Sequence, residues 1–142
     1  MRFMMLMIPK GYETAAPGTV PDAKAVSAMM KYNESLQKAG VLLALDGLHP
    51  PSMGARVTFA GGKAKVTDGP FTETKELIAG FWMWKVTSMD EAVEWLKRCP
   101  NPSLGESVVE IRRVFEAEDF GAEFTPELRE QEERLRAQID KS

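Results

Sequence analysis

One cysteine, Cys99, and one histidine, His49, are all that a chain of 142 residues offers of either type. A single thiol excludes a disulfide within the chain, and a single imidazole excludes a metal cage built from several histidines or from cysteine and histidine together. No metal and no cofactor is expected. Basic residues are also in short supply: 18 Lys and Arg against 21 Asp and Glu leave a formal charge of −3. With no cluster of cations, direct contact with nucleic acid or an anionic membrane lacks its electrostatic footprint. The apolar run from Met1 to Pro9 is far too short to span a bilayer and carries no signal-peptide cleavage pattern. The expectation is a reducing, cytoplasmic setting.

What is present fits one globular domain with a sizeable core, 44% apolar and 27% charged. Phe3 to Ile8 reads as a strand with apolar residues on both alternating faces, which must be covered twice. Pro9 ends it, and a loop over 10–19 follows. Pro21 or Asp22 opens a helix that Gly40 closes, with Val26, Met29, Met30, Leu36 and Ala39 near helical spacing. Val41 to Leu45 is a short strand leading into a turn from Asp46 to Pro51. Arg56 to Ala60 and Lys63 to Thr67 flank Gly61-Gly62, a two-residue hairpin signal.

Ile78 to Val86 again has two apolar faces, Phe81 and Met83 against Trp82, Trp84 and Val86, and reads as a central strand. Ser88 with Glu91 predicts a capping box and a helix carrying Ala92, Trp95, Leu96 and Cys99 until Pro100. Val108 to Phe115 is the last core strand. The tail, 118–142, holds eight acidic and four basic residues. Within it Thr125-Pro126-Glu127 starts a helix whose apolar stripe is thin, Leu128, Leu135 and Ile139.

The order strand, helix, strand, hairpin, strand, helix, strand gives an α+β fold: a ferredoxin-like β-α-β-β-α-β sandwich with an inserted β-hairpin over residues 1–117, plus an acidic C-terminal helical extension over 118–142. Two helices cover one sheet face only. The doubly apolar strands therefore predict a homodimer in which a second sheet meets the open face, with a cavity between.

The stretch Val66 to Glu76 stands apart from this scaffold, because it packs Asp68, Glu73, Lys75 and Glu76 around an Asp-Gly-Pro turn. Asp68 before Gly69 is explained by turn capping, and equally by service as a pocket acid or base. Glu73, Lys75 and Glu76 read as a solvated loop or as ligand-binding groups at a pocket rim. Glu110 and Arg112 face the same way on the last strand. On an enclosed face they would have to be paired, as a structural ion pair or as a carboxylate clamp for a ligand. His49, beside two prolines, is a turn histidine or a weaker catalytic candidate.

Thr67 to Glu76, followed by Gly80-Phe81, resembles the signature of the DGPF-domain, YCII-related family. Agreement extends to Tyr32-Asn33-Glu34, Ala39-Gly40, Gly47-Leu48-His49-Pro50, Asp90-Glu91-Ala92, Cys99-Pro100 and Glu110-Ile111-Arg112. The resemblance covers Met1 to Phe115 and implies a dimeric α+β barrel, a superfamily that includes small-molecule isomerases, monooxygenases and haem-handling enzymes. Some family members accompany sigma factors. A histidine/aspartate pair is the catalytic feature suggested for relatives: Asp68 stands at the matching aspartate, whereas no histidine stands early in this chain. Arg113 replaces a proline common in relatives after the last strand's arginine.

Two functions follow. One is a small-molecule-binding protein acting as an acid/base enzyme in the inter-sheet cavity, with Asp68 moving a proton and Arg112 or Lys75 holding the ligand. The other is a non-catalytic, dimeric ligand-binding or regulatory module linked to a transcription system. Convergence of the charged groups on an enclosed space separates the two.

Overall fold

The computed structural model describes residues 1–12, 15–18, 22–71, 77–100 and 106–141. Along the chain run β1 (Arg2–Pro9), α1 (Ala23–Lys38), β2 (Leu42–Gly47), the hairpin strands β3 (Ala55–Ala60) and β4 (Lys63–Asp68), β5 (Gly80–Lys85), α2 (Met89–Leu96), β6 (Ser107–Arg113) and α3 (Pro126–Asp140). β2, β5, β1 and β6 lie side by side in that order, antiparallel throughout, while β3 and β4 form a sheet of their own. This is the ferredoxin-like order with an inserted hairpin, as the sequence pattern predicts.

Local chemistry sets the helix ends. The Asp22 carboxylate accepts from the Ala25 N–H at 2.8 Å, filling one of the donors a helix start leaves open, and Gly40 follows α1 with φ +73°. Ser88 caps α2 by accepting from the Glu91 N–H at 3.1 Å. The expected reciprocal half of that box is displaced by one residue, since the Glu91 carboxylate accepts from the Thr87 N–H and hydroxyl. β2 also runs two residues further than expected, so Asp46 and Gly47 are ladder residues opposite Phe81 and Gly80 rather than turn residues.

Register assigns the faces. Phe3 lies between Trp84 and Arg113, Met5 between Trp82 and Ile111, and these point toward the helices. There Phe3, Met5, Leu36, Trp82, Trp84 and Ala92 are buried and make the core, with Trp95 and Leu96 of α2 against it. Tyr32 meets Trp82 and Trp84 edge-on at 5.8 and 6.4 Å and donates its hydroxyl to the Trp95 carbonyl at 2.7 Å, tying α1 to α2. The opposite face carries Met4 between Met83 and Arg112, and Leu6 between Phe81 and Glu110. Ala44 and Asp46 continue those two rows on β2. Neither α1 nor α2 supplies a residue to that face.

The hairpin is exposed along both strands. Its register puts Val57 opposite Val66 and Phe59 opposite Ala64 on one side, with Phe59 80% exposed. α3 begins at the Thr125 cap, whose hydroxyl oxygen accepts from the Leu128 N–H, and buries none of its residues. What precedes it is fastened to the domain. Arg2 makes a two-pronged ion pair with Glu116, at 2.7 and 3.1 Å, and Arg113 lies 3.6 Å from Asp119. Arg113 thus also reaches the segment that leads into the tail. No helix among the described residues is long and apolar enough to cross a membrane.

Candidate functional site

A cleft of about 600 Å³ opens between the N-terminal half of α1 and the ends of β1, β2 and β5. Its making follows from the sheet geometry. Residues of β1 and β5 that alternate toward the helices form the floor, Met7 and Trp82 among them, and Leu45, opposite Trp82, extends it onto the edge strand. The wall is α1, whose Ala25, Val26, Met29, Met30 and Asn33 recur at helical spacing. A space this size, lined mainly by apolar and methionine side chains with few polar groups, is the ordinary form of a small-molecule site.

Backbone contacts hold the far side in place. Leu48 N–H donates to the Ala79 carbonyl at 2.7 Å and Ala79 N–H to the Met7 carbonyl at 2.8 Å, carrying the ladder past the formal ends of the strands. A β-carbon on Gly80 would stand 2.9 Å from the Asp46 carbonyl oxygen, so the close pairing of Gly80 with Gly47 needs glycine. Tyr12 bridges across by donating its hydroxyl to the Leu48 carbonyl, and burial raises its pKa. Exposed His49 completes the mouth, and Asp46 borders it on the edge strand with its side chain in the Phe81 row of the other face.

Asn33 is the exception in the wall. It is 7% exposed, and its side-chain oxygen accepts from the Trp82 indole N–H at 2.9 Å. Sequence reasoning passed over Asn33, Tyr12 and Asp46. For Asn33 a signal existed: it falls on the apolar stripe of α1 seven residues after Val26, where a polar side chain must find a partner.

The residues singled out from sequence are distributed as follows. His49 is at the cleft mouth. Glu110 and Arg112 are neighbours on the helix-free face, 4.0 Å apart, with side chains 51% and 71% exposed in the single chain. Asp68 ends β4 opposite Ala55 and is exposed, at the base of the hairpin. Asp68, Glu110 and Arg112 do not line this cleft. Glu73, Lys75 and Glu76 lie outside the described residues.

The Asp-Gly-Pro-Phe turn itself has a packing role. Gly69 lies against the short turn Pro51–Met53, and its N–H donates to the Gly54 carbonyl at 2.9 Å. Phe71 sits under the Arg56 guanidinium, 4.0 Å from its ring centre. The motif thereby seats the hairpin base on the segment that follows His49.

A second space, of about 270 Å³, lies between α3 and residues 115–118. Its charged lining is largely self-paired, Arg136 with Glu132 at 2.7 Å and Arg2 with Glu116 just beside it. That pairing fits a structural joint better than a ligand site.

Comparison with known proteins identifies the family. The chain is 28% identical over 99 residues to an uncharacterized protein of Rhizobium meliloti (strain 1021), a match spanning 70% of this chain and 80% of that one. The model of the YCII-related domain matches residues 1–118, taking in the sheet, both covering helices, the hairpin and the cleft. The chain belongs to the YCII-related family.

Proposed function

We propose that this protein binds a small, largely apolar organic molecule in the cleft between α1 and the β2–β5 end of the sheet. The observation that carries this reading is the combination of ligand-sized volume, apolar floor and wall, and polar groups at Tyr12, Asn33 and His49. Acid–base chemistry is the reaction class such a mouth suits, because an imidazole offers one nitrogen that donates and one that accepts and can pass a proton in either direction. Binding without turnover, as in a regulatory module of a transcription system, uses the same cleft and is told apart by the absence of product.

The protein works as a homodimer in this reading. Met4, Leu6, Ile8, Phe81 and Met83 form an apolar centre on the helix-free face, edged by Asp46 on one side and by Glu110 and Arg112 on the other. An apolar core with a charged rim is how protein interfaces are built. The closed space between two such sheets is the alternative ligand site, served by Arg112, Glu110, Asp68 and the loop residues Glu73, Lys75 and Glu76. A cytoplasmic setting suits the lone thiol.

A thermal-shift screen of metabolites against the wild type, Met30→Trp, Asp68→Asn and Arg112→Met distinguishes the two sites. A hit that stabilises the wild type, Asp68→Asn and Arg112→Met but not Met30→Trp supports the cleft. A hit indifferent to Met30→Trp and lost in Asp68→Asn or Arg112→Met overturns it in favour of the inter-sheet site. Incubation of a hit with the protein, followed by mass spectrometry, separates enzyme from binding module.

A further inference from the structure

The Asn33 amide is oriented by its neighbour. An indole N–H can only donate, so the side-chain atom 2.9 Å from Trp82 Nε1 must be the amide oxygen, and the nitrogen is turned the other way. Among the described residues nothing accepts from that nitrogen. Unlike the Trp84 indole nitrogen, it is not both sealed and unpartnered, and Asn33 lines the cleft. A polar side chain 7% exposed, with its acceptor spent and its two N–H donors unspent, thus stands in an otherwise apolar wall.

Resting on the cleft reading above, we infer that Asn33 recognises an oxygen acceptor on the ligand, and that the ligand is a neutral apolar molecule bearing a carbonyl group. Neutrality follows from the lining. Among its described residues there is no lysine or arginine, the Asp46 side chain alternates to the other face of the sheet, and the imidazole of His49 stands at the mouth. An anionic ligand would lose its hydration against the apolar floor and wall with no fixed countercharge among those residues. A carbonyl oxygen needs only a neutral donor, and an amide already locked by Trp82 supplies one without reorganising.

Three matched probes test this by NMR on the full chain: 4-phenyl-2-butanone, 3-phenylpropanoate and butylbenzene, each titrated to millimolar concentration. The side-chain amide of Asn33, the Trp82 indole N–H and the methyl groups of Met29 and Met30 are observed. The ketone is expected to move all of these signals and to bind roughly five- to tenfold more tightly than butylbenzene, the value of one hydrogen bond. It should also bind more tightly than the carboxylate. Asn33→Asp keeps an oxygen for Trp82 and loses the donors, so it should erase the ketone's advantage. If that variant does not fold, the wild-type Asn33 amide shift decides alone. Methionine shifts of equal affinity for ketone and butylbenzene, with the Asn33 amide unmoved, overturn the inference and leave the cleft reading standing. Tighter binding of the carboxylate overturns the neutral-ligand assignment. No methionine shift with any probe overturns the cleft reading and this inference together.

Discussion

A β-carbon on Gly69 would lie 1.7 Å from the carbonyl oxygen of Pro51. That oxygen belongs to backbone in a buried proline pair, so it cannot swing aside as a flexible side chain would. Gly69→Ala should therefore lose at least the roughly 1–3 kcal/mol typical of overpacking, read as a lowered denaturation midpoint. Gly62→Ala at the open hairpin tip is the control for glycine loss without a clash, although its φ of +75° adds backbone strain of its own. A Gly69→Ala protein as stable as the wild type would show that the hairpin base is free to move off the Pro51 turn.

Acid should weaken the joint between β1 and the tail. Arg2 holds the Glu116 carboxyl below its ordinary value of 4.5, chiefly through their hydrogen bonds. A carboxyl whose folded pKa is depressed adds stability that is complete above the unfolded value and is lost as pH falls through the folded one. Both side chains remain partly exposed, so the pair contributes about 0.5–1 kcal/mol. The difference in melting temperature between wild type and Glu116→Gln should be constant near neutrality, begin to shrink near pH 4.5 and vanish only below the lowered folded value. A difference that persists undiminished in strong acid would assign the effect to packing.

Cys99 should be nearly inert while the protein is folded. Burial pushes its thiol up to about 11, and the S–H donates to the Pro100 carbonyl at 3.4 Å. At pH 8 the thiolate fraction then drops by about two orders of magnitude relative to an ordinary cysteine. Alkylation by iodoacetamide should be slower than in urea-unfolded protein by a similar factor. Equal rates would mean that the end of α2 opens freely.

The helix-free face should be where two chains meet. Light scattering at micromolar concentration should give the mass of a dimer for the wild type and of a monomer for Leu6→Glu, which puts a carboxylate amid Met4, Phe81 and Ile8. A wild-type monomer, or a dimeric Leu6→Glu, rejects the sheet-face interface.

Removing 118–142 should leave a cooperatively unfolding domain. α3 buries none of its residues, and the Arg2–Glu116 pair is retained in the shortened chain. A broad, non-cooperative melt after truncation would mean that the tail completes the core.

Much of the fold was legible because alternation is a local signal. Phe3 and Met5 against Met4 and Leu6, or Trp82 and Trp84 against Phe81 and Met83, announce two-sided strands without any knowledge of their neighbours. Glycine pairs and capping residues announce the breaks in the same way. The cleft was not legible, because residues distant in sequence make it and its methionines look like core until the space between them is seen. Asp68 drew attention as an ionisable group in a rare motif, and the structure adds packing roles for Gly69 and Phe71, which carry no charge to mark them. Asn33 was hidden by the opposite bias, a neutral side chain within an apolar helix face.

The strand order carries a consequence for how the chain is made. β1 leaves the ribosome before every other element, yet its two partners, β5 and β6, are the last strands of the sheet to be synthesised. Met4 to Ile8 must then wait, apolar on both faces and without a ladder, until β5 and β6 have followed it. Such a segment is open to wrong pairings while it waits. The two central strands cannot close until Trp82 and Ile111 have emerged to flank Met5, so folding of the sheet is held back to a late, nearly single event.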